Sequence, residues 1–160
     1  MSTIYLDLGT QMGFAIREDH GGVKSGTVSF HQNRYAGGGM RFLKFREWLA
    51  KIFDKRRIEA IYFEEVLGHK GTYAAQVYGG FWATLTSWCE TLGVPYKGIP
   101  VGTIKKHMTG KGNASKQEVL DAVHHKGFLP LDDNEADALA LMFCVEGSGQ
   151  AQGPDHALEA

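Results

Sequence analysis

Two cysteines, no long apolar run and almost no net charge are the first things the 160 residues declare. Cys89 and Cys144 lie far apart, without C-x-x-C spacing, so a disulfide scaffold and a thiolate zinc site are both excluded, and the pair reads as reduced core thiols. No segment approaches the roughly 20 apolar residues of a membrane span, and Met1-Ser2-Thr3 leads into a strand with no charged region or signal-like apolar stretch before it. The expectation is a cytoplasmic protein with no membrane partner. A net charge of −1 would argue against a polyanionic partner if it were evenly spread. It is not. Residues 97–117 carry five lysines (Lys97, Lys105, Lys106, Lys111, Lys116) and no acid, whereas Glu118 onward carries nine acids and one base, Lys126. Two surfaces of opposite sign follow. A second basic cluster, Lys51, Lys55, Arg56 and Arg57, reads as a solvated helix end complementing the helix dipole.

With 43% hydrophobic residues the length fits one domain with a proper core, over residues 1–146, and the Gly-, Gln- and Ala-rich stretch 147–160 reads as a flexible tail. Apolar and β-branched runs predict strands over 3–8, 11–18 and 23–31, joined at Gly9-Thr10 and Gly21-Gly22, then further strands over 59–64 and 94–99. Helical spacing of apolar residues predicts helices over 40–55, 73–92, 101–108, 115–126 and 133–146, the fourth opening on a Ser115/Glu118 capping box. The helix over 73–92 has Glu90 as its only formal charge and is apolar on more than one face, so a partner is expected to cover it, with Phe81 as a buried interface position.

The order of three strands, helix, strand, helix, strand and helices is that of the α/β ribonuclease H-like fold, a five-stranded mixed sheet flanked by helices on both faces. In it the first and fourth strands are neighbours. Asp7 closes the apolar run Ile4-Tyr5-Leu6, Glu64 closes Ile61-Tyr62-Phe63, and Asp137 lies in Ala136-Asp137-Ala138-Leu139. A carboxylate in such surroundings costs several kcal/mol unless compensated, and an oxygen-only set suits Mg2+, with Mn2+ as substitute. Two cations about 3.5–4 Å apart can activate a water and stabilise the leaving 3′ oxygen of a phosphodiester. Asp133 and Asn134 share the start of the last helix, and residues 134 and 137 share a face of it.

Leu6-Asp7-Leu8-Gly9-Thr10, Phe63-Glu64-Glu65-Val66, Pro100-Val101-Gly102-Thr103-Ile104-Lys105, Gly110-Lys111-Gly112-Asn113-Ala114-Ser115-Lys116 and Glu135-Ala136-Asp137-Ala138-Leu139-Ala140 together resemble the RuvC family of Holliday junction resolvases, from residue 3 to about 143. The resemblance implies metal coordination by Asp7, Glu64 and Asp137, with Lys105 and Lys116 at the DNA backbone or transition state. It also implies magnesium-dependent paired nicking of four-way junctions by a homodimer, in DNA recombination and repair. The family carries an aspartate where this chain has Asn134; an amide carbonyl can ligate a hard cation, and Asp133 or Glu135 are alternatives. Where bacterial members place a junction-wedging aromatic, this chain has Leu67-Gly68-His69-Lys70-Gly71-Thr72-Tyr73. Tyr73 is a candidate for stacking, and His69 and Lys70 for phosphate contact, beside Lys106 and Lys111. Compact length and the altered loop look like a bacteriophage or prophage enzyme, working in the bacterial host cytosol. Asp7-Leu8-Gly9-Thr10 also fits the phosphate turn of actin-like and sugar kinases, but those need two copies of the fold, and no nucleotide cofactor is expected. A broader flap or fork nuclease, a YqgF-type nuclease and a non-catalytic junction-binding protein are the other readings.

Overall fold

The computed structural model describes residues 1–148. Ten elements follow in order: β1 (Ser2–Asp7), β2 (Gln11–Arg17), β3 (Val23–Ser29), α1 (Met40–Lys55), β4 (Ile58–Glu65), α2 (Thr72–Leu92), β5 (Tyr96–Pro100), α3 (Val101–Thr109), α4 (Lys116–His125) and α5 (Asp133–Gly147). Each expected element is present, with ends moved by one or two residues. The stretch read as a tail lies, from residue 149, outside the described residues, and Gly147 closes α5.

The strands form one sheet in the order β3-β2-β1-β4-β5. β1 is antiparallel to β2 and parallel to β4, and β5 is parallel to β4. Alternation of side chains along a strand sorts the two faces. Ile4 and Leu6 of β1, with Ile61 and Phe63 of β4, point into the layer filled by α1 and α2, whereas Tyr5 and Tyr62 point into the layer of α3, α4 and α5. The β1–β4 register sets Tyr5 beside Tyr62, with rings stacked at 5.7 Å, and Leu6 beside Phe63. One step further the same parity puts Asp7 and Glu64 side by side, on the α5 face.

α5 is buried almost all round, from Ala136 and Ala138 through Met142 to Val145, because it crosses the sheet between α3 and α4. Both of its ends are fastened. At the start, Asp132 caps the helix by accepting from the Glu135 N–H (2.8 Å) and from the Thr27 hydroxyl of β3 (2.6 Å). Buried Glu135 accepts from the Ser25 hydroxyl (2.7 Å) and the Leu131 N–H (2.8 Å). At the far end Glu146 takes Arg17 at 2.6 and 2.8 Å and the Tyr5 hydroxyl at 3.3 Å. Gly13 of β2 makes the approach possible: a Cβ there would overlap the Asn134 carbonyl.

Two expectations are corrected. Phe81 is fully buried against Phe30, Phe42 and Phe45 in the chain's own core, so it is not an interface residue. The uncovered apolar surface of α2 is carried by Tyr73, Trp82 and Leu92 instead. Arg56 is not a free helix-end charge either: it pairs with Glu18 at 2.7 Å in a largely buried contact. Cys89 and Cys144 are buried free thiols, as expected.

The Gly13 contact gives a direct test. Gly13→Ala must displace the start of α5 and should lower stability by about 1–3 kcal/mol. Gly79→Ala, inside α2 with open space where its Cβ would sit, should instead raise it by about 0.5–1 kcal/mol. Urea denaturation of both variants checks the contrast.

Candidate metal centre

Asp7 ends β1, Glu64 lies one residue before the end of β4, and Asp137 lies in the second turn of α5. One carboxylate oxygen from each lies within 4.8 Å of the others, and this is the one such group of acid, His or Cys side chains among the described residues. Burial is the largest influence on all three protonation equilibria. It raises Asp7 well above the usual carboxylate range, and the neighbouring Glu64 and Asp137 charges raise it further. Burial pushes Glu64 up to about 7, with Asp137 adding to the effect, and it pushes Asp137 up to about 6. Contact between the two side chains raises Asp7 and lowers Glu64. Lys116 opposes the shift at all three acids and Lys105 at Glu64 and Asp137, so both lysines face the cluster.

Three hard oxygen donors, half-buried and mutually repelling, with no His or Cys among them, fit a divalent cation such as Mg2+ or Mn2+. The donor set shows no preference between the two.

The remaining candidates are distributed around this centre. Asp133 is an exposed charge 3.9 Å from Lys116 Nζ; it is near enough to raise Asp137 but lies outside the three-acid group. Asn134 has its backbone against Gly13 on the same helix start. Glu135, the other alternative to Asn134, is committed to Ser25 and Leu131 and faces β3. Lys111 pairs with Glu118 at 3.2 Å, while Lys106 and Lys70 are exposed. The His69 ring lies 4.8 Å from that of Tyr78, and Tyr73 stands 68% exposed.

Two contributions escaped the sequence reading. The Tyr78 hydroxyl donates to the Glu64 carbonyl (3.0 Å) and accepts from the Val66 N–H (3.3 Å), which fixes the end of β4 that carries Glu64. Its signal was its place three residues before Phe81, on the inward side of α2, where a buried hydroxyl must find a partner. Arg41 donates to the Thr10 hydroxyl and to the Tyr73 hydroxyl, 3.0 Å each, and so ties the turn after Asp7 to the start of α2. Nothing in the sequence distinguished Arg41 from the other bases of α1.

No protein-family model matches the chain, and no curated protein does. Among solved structures, the fold is that of the RuvC proteins, the ribonuclease H-like class. The individual matches are these. RuvC of Thermus thermophilus superposes with a TM-score of 0.73 at 22% identity, over 94% of this chain and 96% of that one. T. thermophilus RuvC in complex with a Holliday junction substrate gives 0.78 at 20% identity, over 94% and 95%. The yeast mitochondrial Holliday junction resolvase Ydc2 gives 0.61 at 12% identity, over 89% and 76%. At such identities the likeness is one of fold.

The cluster predicts a linked dependence on pH and metal. In the unfolded chain these acids titrate near pH 4; in the metal-free fold they hold their protons to higher pH. Folding therefore takes up protons between about pH 4 and 7, and stability falls as pH rises through that window. The melting temperature of EDTA-treated protein should drop between pH 5 and 8, and Glu64→Gln should flatten the drop. Saturating Mg2+ should raise it by roughly 5–10 °C at pH 8 and by much less at pH 5. Thermal melts settle the point; no response to Mg2+ at pH 8 would contradict the assignment.

Proposed function

We propose that this chain is a divalent-metal-dependent, structure-selective endonuclease that resolves Holliday junctions and related branched DNA by paired nicks. The observation that carries the reading is the convergence of Asp7, Glu64 and Asp137, flanked by Lys105 and Lys116, in a fold shared with a RuvC protein solved on a Holliday junction substrate. When bound, the metal ions would supply Lewis-acid activation of water and charge stabilisation at the leaving 3′ oxygen. Asp7, Glu64 and Asp137 are the residues that would hold them, with Asn134 or Asp133 as a further ligand. Lys116 and Lys105 are poised to meet the scissile phosphate and the charge that grows on it. Lys106, Lys111, Lys70, His69 and Tyr73 extend the DNA contact on either side.

The raised carboxyls fit this role, since Asp7 and Glu64 must give up a proton when cations enter. The loop from Leu67 to Tyr73 supports the reading of a phage or prophage enzyme acting in the bacterial host cytosol. Among the described residues no helix is long and apolar enough to cross a membrane.

A labelled immobile four-way junction incubated with Mg2+, with the cuts mapped on each strand, tests the proposal. Wild-type protein should cut two opposing strands. Asp7→Asn should reduce cutting to background while binding stays equal or tightens, because negative charge facing phosphate is lost. Lys105→Ala and Lys116→Ala should each lower the single-turnover rate by roughly 100-fold, well beyond their effect on affinity. Equal losses in rate and affinity would make the lysines backbone clamps only.

The working unit proposed is a two-fold dimer joined through the exposed apolar face of α2, since a four-way junction needs two identical sites at fixed spacing. Light scattering should report about twice 17.6 kDa. A charge at half-exposed Trp82, as in Trp82→Arg, should give monomers that keep the Mg2+ response but nick strands singly.

A further inference from the structure

Between β3 and α1 the chain makes a loop, residues 30–39, that contributes nothing to the metal centre. It leaves the sheet at the edge that carries the carboxylates: Ser29 lies opposite Gln11, and the Phe30 N–H bonds the Thr10 carbonyl at 2.8 Å, three residues from Asp7. From there it passes to the α1 face, opposite the face on which α3 and α4 bring Lys105 and Lys116. Its base is fastened. Lys44 donates to the His31 carbonyl (3.0 Å), and the Gln32 side-chain oxygen accepts from the Arg41 N–H (3.3 Å).

The tip is a tight turn. The Asn33 carbonyl accepts from the Ala36 N–H (3.1 Å) and the Asn33 side-chain oxygen from the Tyr35 N–H (2.9 Å), so Arg34 and Tyr35 take the two central positions. Both are exposed, Tyr35 by 82%, and neither adds to the core. The Arg34 guanidinium lies 4.8 Å from the centre of the Tyr35 ring and donates to its hydroxyl (2.6 Å). This contact restrains a side chain that would otherwise sample many rotamers, and it leaves most of the guanidinium N–H groups for another acceptor. Among the described residues no carboxylate pairs with Arg34. The surrounding charge is unopposed as well: residues 20–46 hold five bases, Lys24, Arg34, Arg41, Lys44 and Arg46, and no acid. A restrained, solvent-facing guanidinium on such a surface suits phosphate oxygens, which it can take two at a time and without regard to base.

We propose that the Arg34/Tyr35 tip holds the sugar–phosphate backbone of a junction arm, on the side of the cleavage centre away from Lys105 and Lys116. The inference rests on the reading of the carboxylate cluster as a junction-cleaving centre. Cationic holds on opposite faces of the sheet, with the carboxylates between them, suit a branch point, from which duplex arms leave in different directions. A hold on one side alone would leave the other arm free to swing.

The test measures affinity for a labelled four-way junction by fluorescence anisotropy in EDTA, so that nothing is cut, over a range of NaCl concentrations, with hydroxyl-radical footprints of the same complexes. Arg34→Ala should weaken binding several-fold and flatten the slope of log affinity against log salt by about one, the share of a single phosphate contact. It should also lose protection over one short run of arm nucleotides while the cut site stays protected. Tyr35→Ala keeps the charge but releases it, and Arg34→Lys keeps the charge without the planar fork; both should weaken binding with the slope unchanged. Lys51→Ala, an equal loss of charge at an exposed position toward the far end of α1, should alter neither slope nor footprint. An Arg34→Ala protein with the wild-type slope and footprint, or a Lys51→Ala protein that flattens the slope as much, would overturn the arm contact and leave the metal centre standing. A wild-type protein that neither binds nor cuts junctions would overturn the centre, and the arm contact with it.

Discussion

Three carboxyl groups forced within 4.8 Å of one another are the constraint around which this fold is arranged. Like charges at that distance, partly shielded from water, repel strongly. Left to themselves the three strands of chain that carry them would part. What holds them is a scaffold of neutral and oppositely charged contacts, each acting on a different member. The β1–β4 ladder fixes Asp7 against Glu64, Tyr78 fixes the end of β4, and Ser25 and Thr27 fasten the start of α5. Burial holds the acids toward their neutral forms, and the two lysines oppose the accumulated charge. A metal ion would favour the ionised forms, which ties occupancy of the centre to the ionisation of the acids that form it.

The scaffold also divides the labour among acids that look alike in the sequence. Asp132, Asp133, Glu135 and Asp137 lie within six consecutive positions, yet one caps the helix, one stands in solvent, one is buried on a β3 hydroxyl and one enters the cluster. Helical geometry does this: each step turns the side chain by about 100°, so neighbours in sequence face different partners. Only the residue one turn beyond the exposed Asp133 meets the strand ends.

Much of this was legible beforehand because the strands are so regular. Period-two alternation gave Asp7 the parity of Tyr5 and Glu64 that of Tyr62, and an apolar run closed by an acid is a strong local signal. The helices announced themselves through spacing and, for α4, through the Ser115/Glu118 box. What stayed hidden were relations between distant segments. Gly13 reads as an ordinary strand glycine until a helix carbonyl is seen against it. Phe81 and Trp82 are adjacent aromatics, and only the packing of α1 tells which one is inside. Arg41 has no distinguishing neighbour in the chain; its partners at positions 10 and 73 come to it through the fold.

The crossing of α5 over the sheet has a consequence for the order in which the cluster is assembled. Synthesis delivers Asp7 and Glu64 well before Asp137, and the last acid reaches the other two only when α5 has docked against β1 to β4. Such contacts between remote segments form late in folding, after the entropy of closing a long loop has been met. A nascent or misfolded chain can thus present two acids but never the complete triad. The complete cluster is withheld until the last helix has verified that everything before it is in place.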